Sequence, residues 1–449
     1  MNTKLQKILE RLIVLYVLLL PLSAVYIFDE KFVSGFKSQY LTGQIFITEP
    51  LLWIIVILSL IQFIKSTNFN ELREKILKYY NIKILNIEKS PRSILTLSIW
   101  LFIAFSGLSI LWPADKTAAY YLWFRLLEGA ALFFIIVSLN IKKEKLFLAL
   151  VIGSAFEGIL ALSQFLTQII EPAKWLGIAA HSADNLGDVV IETSSGRWLR
   201  AYGTFSHPNI LGGFATLGLI AAYGLFDLVK KRAIQLLLIV AALLSIMGLF
   251  FSFSRSAWLA ALIILLIFLW LNKKSIFNIH YSIFILSPIL LFIIFAYLFS
   301  PLILTRADFS NRLENISRQE RISQVSRALS IIKQYPLIGT GINNFTIELQ
   351  KIHPGQPAYA YQPVHNLYLL IIAELGLIGF VFFVFMFYCF IVFLKKHAII
   401  SIPAGLVVAI LIIGLFDHYF WTQYIGIMLL WLSLTFIAQD SKMTNQIEL

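Results

Sequence analysis

Three polar stretches break into an otherwise oily sequence: RWLRAYGTFSHPNILGG at 197–213, FSFSRSAW at 251–258 and PVHNLYLLIIAELGLIG at 363–379. Each sets a cationic or titratable side chain where an apolar run begins, namely Arg200, Arg255 and His365. At the N-terminus of a helix the macrodipole disfavours an imidazolium, so the His365 ring stays neutral and is available as a base near pH 7. Taken singly, each residue has a plain explanation. An arginine at a helix end anchors to lipid headgroups, and a histidine there is an interfacial residue with one satisfied hydrogen bond. Taken together, three such starts on one face can line one cavity. In the first stretch Pro208 opens a helix with Ser206 or His207 as its N-cap, and Gly203, Gly212 and Gly213 permit close approach of a helix or a ligand.

The elements that must position these residues are membrane spans. The chain has 449 residues, of which 59% are hydrophobic and 13% charged, with a mean hydropathy of +0.82. Soluble domains are about a quarter charged, so the expected fold class is an all-α integral membrane protein. Apolar runs near 12–28, 46–64, 94–112, 118–139, 146–169, 209–228, 233–251, 256–272, 276–300, 366–394, 399–416 and 421–438 predict about twelve transmembrane helices in one polytopic domain, 1–449. The first run follows Lys4, Lys7 and Arg11 and is read as an uncleaved helix rather than a signal peptide.

Charge orients this bundle. With the N-terminus inside, the even-numbered connections carry Lys65 through Arg92, Lys142-Lys143, Lys230-Lys231-Arg232, Lys273-Lys274 and Lys395-Lys396, as the positive-inside rule requires. Both termini are then cytoplasmic, and Arg200, Arg255 and His365 share the outer face. The net charge of +12 therefore reports orientation rather than nucleic-acid binding. One connection departs. In the long extracytoplasmic loop between spans 9 and 10, at 301–365, Arg306, Arg312, Arg318, Arg321, Arg327, Lys333 and Lys351 outnumber Asp308, Glu314, Glu320 and Glu348. An anionic ligand such as phosphate would explain the excess, and so would an amphipathic helix across 318–334, where Ile322, Val325, Leu329 and Ile332 fall at helical spacing. A single cysteine, Cys389, rules out an intramolecular disulfide and a cysteine metal cluster. Within the spans, Arg125 and Glu128 are expected to pair locally, and Glu374 to pair with Arg125 or Asn366. The GTG at 339–341 lacks the strand and third glycine of a nucleotide loop.

These stretches resemble the O-antigen ligase and polymerase superfamily of bacterial membrane glycosyltransferases. RAYGTFSHPN at 200–209 is similar to the family's Arg-x-x-Gly-Thr-Phe segment, and SFSRSAW at 252–258 to its Ser-Arg helix start. His365-Asn366, a spacer and Gly376-Leu-Ile-Gly379 fit the ligase pattern of His-Asn followed by Gly-x-x-Gly. ERISQVSRALSIIKQYPLIGTGINNF at 320–345 resembles the segment before that histidine, although the family commonly has Trp a few residues after the arginine at 321 and none stands here. No one motif is specific; the ordered set of four is.

The resemblance implies transfer of a glycan, with inversion, from a polyprenyl (undecaprenyl) diphosphate donor to a hydroxyl of a lipid or glycan acceptor. The site would face the outer side of the bacterial cytoplasmic membrane, with membrane lipids around it. Arg200 and Arg255 would hold the diphosphate, with no Asp-x-Asp in the outer loops to bind a metal, and His365 would take the acceptor proton. Arg321, His207, Asn366 and Glu374 are accessory candidates; no cofactor, no metal and no nucleic-acid partner is expected. Polymerisation of repeat units is the nearest alternative. A transporter of an anionic lipid or sugar is the alternative from another class, and the clustering of helix breaks in the middle and later parts of the chain disfavours it.

Overall fold

The computed structural model describes residues 3–66, 91–271, 278–308, 310–395 and 402–440. Helices occupy all twelve apolar runs: α1 (Thr3–Leu19), α2 (Glu49–Ser66), α3 (Pro91–Leu108), α4 (Lys116–Ser138), α5 (Lys143–Thr167), α6 (Pro208–Leu228), α7 (Arg232–Phe251), α8 (Arg255–Leu271) and α9 (Ile279–Leu298), then α13 (Leu367–Lys395), α14 (Ile402–Gly414) and α16 (Tyr424–Asp440). Between α9 and α13 come α10 (Ser300–Ala307), α11 (Arg312–Gln334) and α12 (Phe345–Ile352), and α15 (Tyr419–Thr422) is a single turn. Among the described residues seven helices, α3 to α7, α9 and α13, are long and apolar enough to cross a membrane, while α8, α14 and α16 are apolar but shorter. The basic residues at 67–90, Lys273, Lys274 and Lys396 lie outside the described residues.

The two ends of the bundle are distinct. At one end Gln6 donates to the Leu139 carbonyl, Lys145 pairs with Glu10, and Gln439 donates to the Ile141 carbonyl, so the first and last described helices share it. At the other, Asn343 donates to the carbonyls of Tyr40 and Ala118, Asn344 to that of Asp115, and Asn209 reaches Asp417. The connections holding Arg200, Arg255 and His365 all meet at this second end.

α6 is the hub. Its small residues (Gly212, Gly213, Ala215, Gly218, Ala221, Ala222) let α5, α7, α8 and α14 pack close around it, and nearly all its side chains are buried. His207 is its N-cap: the ring Nδ1 accepts from the Asn209 N–H at 3.0 Å, with Pro208 in the first turn.

Strand content departs from the expected all-helical picture. The run 12–28 ends its helix at Leu19, just before Pro21, and continues as β1 (Val25–Asp29), which pairs antiparallel with β4 (Gly43–Phe46) and encloses a short hairpin of β2 (Phe32–Val33) and β3 (Phe36–Lys37). After α5, β5 (Ile169–Ile170) pairs with β6 (His181–Ser182), and β7 (Val190–Thr193) with β8 (Gly196–Leu199).

The segment 301–365 is largely helical. Its amphipathic helix α11 forms as expected, but Ile322, Val325 and Leu329 point outward, and Glu314, Gln324, Ala328 and Ile331 are the buried side. The motif glycines have a structural cause. α13 breaks at Gly376, whose φ of +66° suits glycine, and a Cβ there would meet the Leu337 carbonyl at 2.2 Å. Residues 336–341 dock into that break: the N–H groups of Thr340 and Gly341 bond to the carbonyls of Ala373 and Glu374, and Leu377 and Ile378 bond back to Pro336 and Leu337. GTG thus seals a helix break.

Two expected pairings fail. Arg125 lies 3.8 Å from Glu49 and donates to the Gln44 carbonyl, while Glu128 accepts from Trp53 Nε1, because residues three apart on α4 face different neighbours here. Glu374 meets neither Arg125 nor Asn366; it accepts from Trp421 Nε1 at 2.7 Å across the bundle.

Candidate active site

Arg200 directly follows β8, and its N–H extends that hairpin's ladder by bonding to the Val189 carbonyl. The next residues are held from α5, where Glu157 and Gln164, two turns apart, face one way. Gln164 Oε1 accepts from the N–H groups of Tyr202 and Gly203, and Nε2 donates to the Gly203 carbonyl. Glu157 accepts from the Thr204 N–H and hydroxyl. Gly203 has φ +63°, and a Cβ on it would sit 2.1 Å from Glu157 Oε2. Only a glycine fits between the loop and that carboxylate.

So fixed, Arg200 is 5% exposed, its Nε donating to the Ser252 carbonyl at 2.7 Å and Nη2 to Asn209 Oδ1 at 2.8 Å. Burial, then the Arg306 charge, lowers its pKa. Ser252 belongs to the tight turn between α7 and α8, in which Phe253 takes φ +46°. Arg255 follows, its Nη1 donating to the Arg306 carbonyl at 2.7 Å and lying 3.2 Å from Glu314 Oε2. Arg306 bonds to Glu314 Oε1 and to the Phe253 carbonyl. Buried Glu314 therefore stands between two guanidiniums.

His365 precedes α13. Its Nδ1 is 2.7 Å from Gln324 Oε1, the oxygen that also accepts the His365 backbone N–H. An amide oxygen can only accept, so Nδ1 carries the proton and Nε2 keeps its lone pair. Burial lowers the His365 pKa, Asp417 opposes the shift and Arg321 adds to it. The neutral imidazole expected from the sequence is the form this environment favours. His418 lies edge-on at 5.1 Å between ring centroids, its Nδ1 2.8 Å from Thr422 Oγ1. Burial pushes His418 and His207 each down to about 3. Asp417 accepts from Asn209 Nδ2 at 2.7 Å and from the His418 N–H. Burial would raise its pKa, and His365, His418 and His207 together overturn that and leave it lowered.

Asn209 thus links Arg200 to Asp417, and Asp417 adjoins His365. Arg321, the accessory candidate, has no hydrogen bond or ion pair among the described residues, and the charges of Asp417, Arg255 and Glu314 act on it. Of the other candidates, His207 and Asn366 serve as caps: Asn366 Oδ1 accepts from the Leu369 N–H, and its amide donates to the Leu415 carbonyl. Glu374 is committed to Trp421.

Among the described residues, four guanidiniums, of Arg200, Arg255, Arg306 and Arg321, face two carboxylates, of Glu314 and Asp417. The imbalance suits a multiply charged anion. Ligating atoms of His365, Asp417 and His418 also lie within 4.8 Å of one another, a donor set that a transition metal such as zinc accepts. The arginines oppose a second cation there.

Sequence reasoning missed Asp417, His418, Gln324 and Asn209, and it named Arg306 only within the basic excess of 301–365. Asp417-His418 had one available signal: a polar pair in a connection of a few residues between two apolar runs.

No curated protein matches this chain. Residues 240–384 match the family model described as O-antigen ligase, less than half of the chain. Arg255, Arg306, Glu314, Arg321, Gln324 and His365 fall inside that match; Arg200, His207, Asp417 and His418 fall outside it. The match supports ligase- or polymerase-type function in general, and the apolar helices fit a membrane protein. Across residues 240–384 this chain is similar to the O-antigen ligase family model, and that similarity supports the O-antigen ligase and polymerase superfamily.

Proposed function

We propose that this protein is an O-antigen ligase-type glycosyltransferase that moves a glycan from a polyprenyl diphosphate to an acceptor hydroxyl at the outer face of the cytoplasmic membrane. The observation that carries it is the cluster of four guanidiniums linked through Asn209 and Asp417 to a neutral imidazole. Arg200 and Arg255 hold the diphosphate, and Arg321, with no partner of its own among the described residues, closes on the leaving oxygens. His365 Nε2 takes the acceptor proton as the hydroxyl oxygen bonds to the anomeric carbon. The bond from that carbon to the phosphate oxygen breaks on the opposite side, and the diphosphate departs with the electron pair. The donor therefore needs no metal to stabilise its leaving group, and the configuration inverts.

Purified protein is given a polyprenyl diphosphate glycan and a panel of lipid and glycan acceptors, with a chelator present. Transfer to lipid acceptors is expected from the wild type and lost in His365→Ala and Arg255→Ala. Unchanged transfer in both variants would sink the mechanism. Chelator sensitivity would instead assign the His365, Asp417 and His418 trio to a metal. Transfer to glycan acceptors alone would make the protein a polymerase.

A further inference from the structure

One carboxylate of the cluster has no part in the proposed transfer, although it is deeply buried. Glu314 stands in the first turn of α11, three residues after the N-cap Asn311. A glutamate at that position ordinarily turns back to bond the N-cap N–H of its own helix. Here the Asn311 N–H goes to the Asp308 carbonyl at 3.2 Å, and the Glu314 side chain, 4% exposed, turns to the arginines instead. Its two oxygens are not used alike. Oε1 accepts from Arg306, whose guanidinium is also fixed to the Phe253 carbonyl. Oε2 lies 3.2 Å from Arg255 Nη1 yet accepts no hydrogen bond, and the Nη1 bond goes to the Arg306 carbonyl at 2.7 Å. Arg255 is 36% exposed against 13% for Arg306. One oxygen of Glu314 therefore anchors a buried partner, while the other attracts an accessible guanidinium without bonding to it.

We propose that Glu314 competes with the donor's diphosphate for Arg255 and so sets how fast the diphosphate leaves after transfer. The proposal rests on the reading of the arginine cluster as the diphosphate grip. Four guanidiniums that stabilise a leaving diphosphate also hold it once it has left, and an enzyme that retains its product turns over slowly. Glu314 relieves that hold. A phosphate oxygen reaching Arg255 comes up against the Glu314 charge, and like charges so placed lower affinity. As the diphosphate departs, the unbonded Oε2 takes Arg255 back, and the bond to Arg306 keeps the carboxylate in place throughout. Asp417 is not placed to do the same: it bonds to Asn209 and the His418 N–H, and to no arginine among the described residues.

The test compares wild type with Glu314→Gln, which removes the charge, and Glu314→Asp, which keeps a carboxylate for buried Arg306 and draws it back from Arg255. Full-length protein in lipid nanodiscs is titrated with farnesyl diphosphate, farnesyl monophosphate and farnesol, none of which carries a glycan. Glu314→Gln is expected to bind the diphosphate about tenfold more tightly, the monophosphate by a smaller factor, and the alcohol as wild type does. Glu314→Asp should shift the same way by less, with its unfolding midpoint near that of wild type. In turnover with a glycan donor, kcat and the donor KM should fall together in Glu314→Gln, and a burst of one transfer per enzyme should precede the slower steady rate. Weaker diphosphate binding in both variants would make Glu314 a scaffold for Arg306 and overturn the proposal. So would equal tightening for all three ligands, or a fall in kcat with diphosphate affinity unchanged. If wild type binds farnesyl diphosphate no better than farnesol, the reading of the cluster has failed and this proposal with it. If wild type binds the diphosphate but transfers no glycan, only the enzymatic reading has failed, and the binding series still decides whether Glu314 competes for Arg255.

Discussion

Two buried clusters of opposite make-up stand in this protein. In one, the Arg125 guanidinium lies near Glu49 and over the Phe46 ring, with Glu128 held by Trp53, so two carboxylates share a single arginine. In the other, Glu314 and Asp417 sit among Arg200, Arg255, Arg306 and Arg321. The two imbalances are not equivalent. A carboxylate in excess can be neutralised by a proton, whereas a guanidinium has no such route and must find an anion. The first cluster can reach neutrality within the bundle, whereas the second, on the proposed function, is completed by an external anion. That difference is why the second cluster, and not the first, is proposed as the site.

The sharpest break in this comparison is His365→Ala, expected to lower kcat by at least a hundredfold, roughly, with the thermal unfolding midpoint held. Arg125→Ala should do the reverse. Leaving Glu49 without its partner costs about 3–5 kcal/mol, read as a lower unfolding temperature, while activity per folded molecule is retained; a selective loss of kcat instead would place this cluster in the chemistry. Arg255→Ala is expected to lower the rate on the order of a hundredfold and to weaken inhibition by free diphosphate, where Arg125→Met leaves that inhibition alone. The smallest effect is on pH. On the proposed mechanism His365 acts when neutral, so kcat/KM is expected to rise with pH through its lowered pKa. Arg321→Gln removes a charge that lowers it and should move the acid limb to higher pH; Asp417→Asn removes one that raises it and should move the limb lower, each by about one unit or less. Shifts of the reverse sign would mean that another group controls the limb.

The helices were legible because long apolar runs leave little else to form, and the three polar starts were legible because they interrupt those runs. Arg200, Arg255 and His365 do meet at one end of the bundle. What could not be read is what depends on distant segments. Gln324 lies mid-helix with no local peculiarity, and it matters only because α11 lies against α13. Arg125 and Glu128 have the right spacing for a pair, yet β4 and α2 offer each a nearer partner. The outward stripe of α11 defeats the rule that apolar faces turn inward, since in a membrane protein an outer apolar face is no anomaly. β1 was hidden because its residues prolong the apolar run of α1.

The docking of 336–341 into the break at Gly376 has a mechanical consequence. Four backbone bonds stitch the stretch that follows α11 to the helix that follows His365, so the imidazole and the amide that aims it are carried on one splinted frame. Any rocking of the bundle has to flex elsewhere, and the aim of the imidazole survives it.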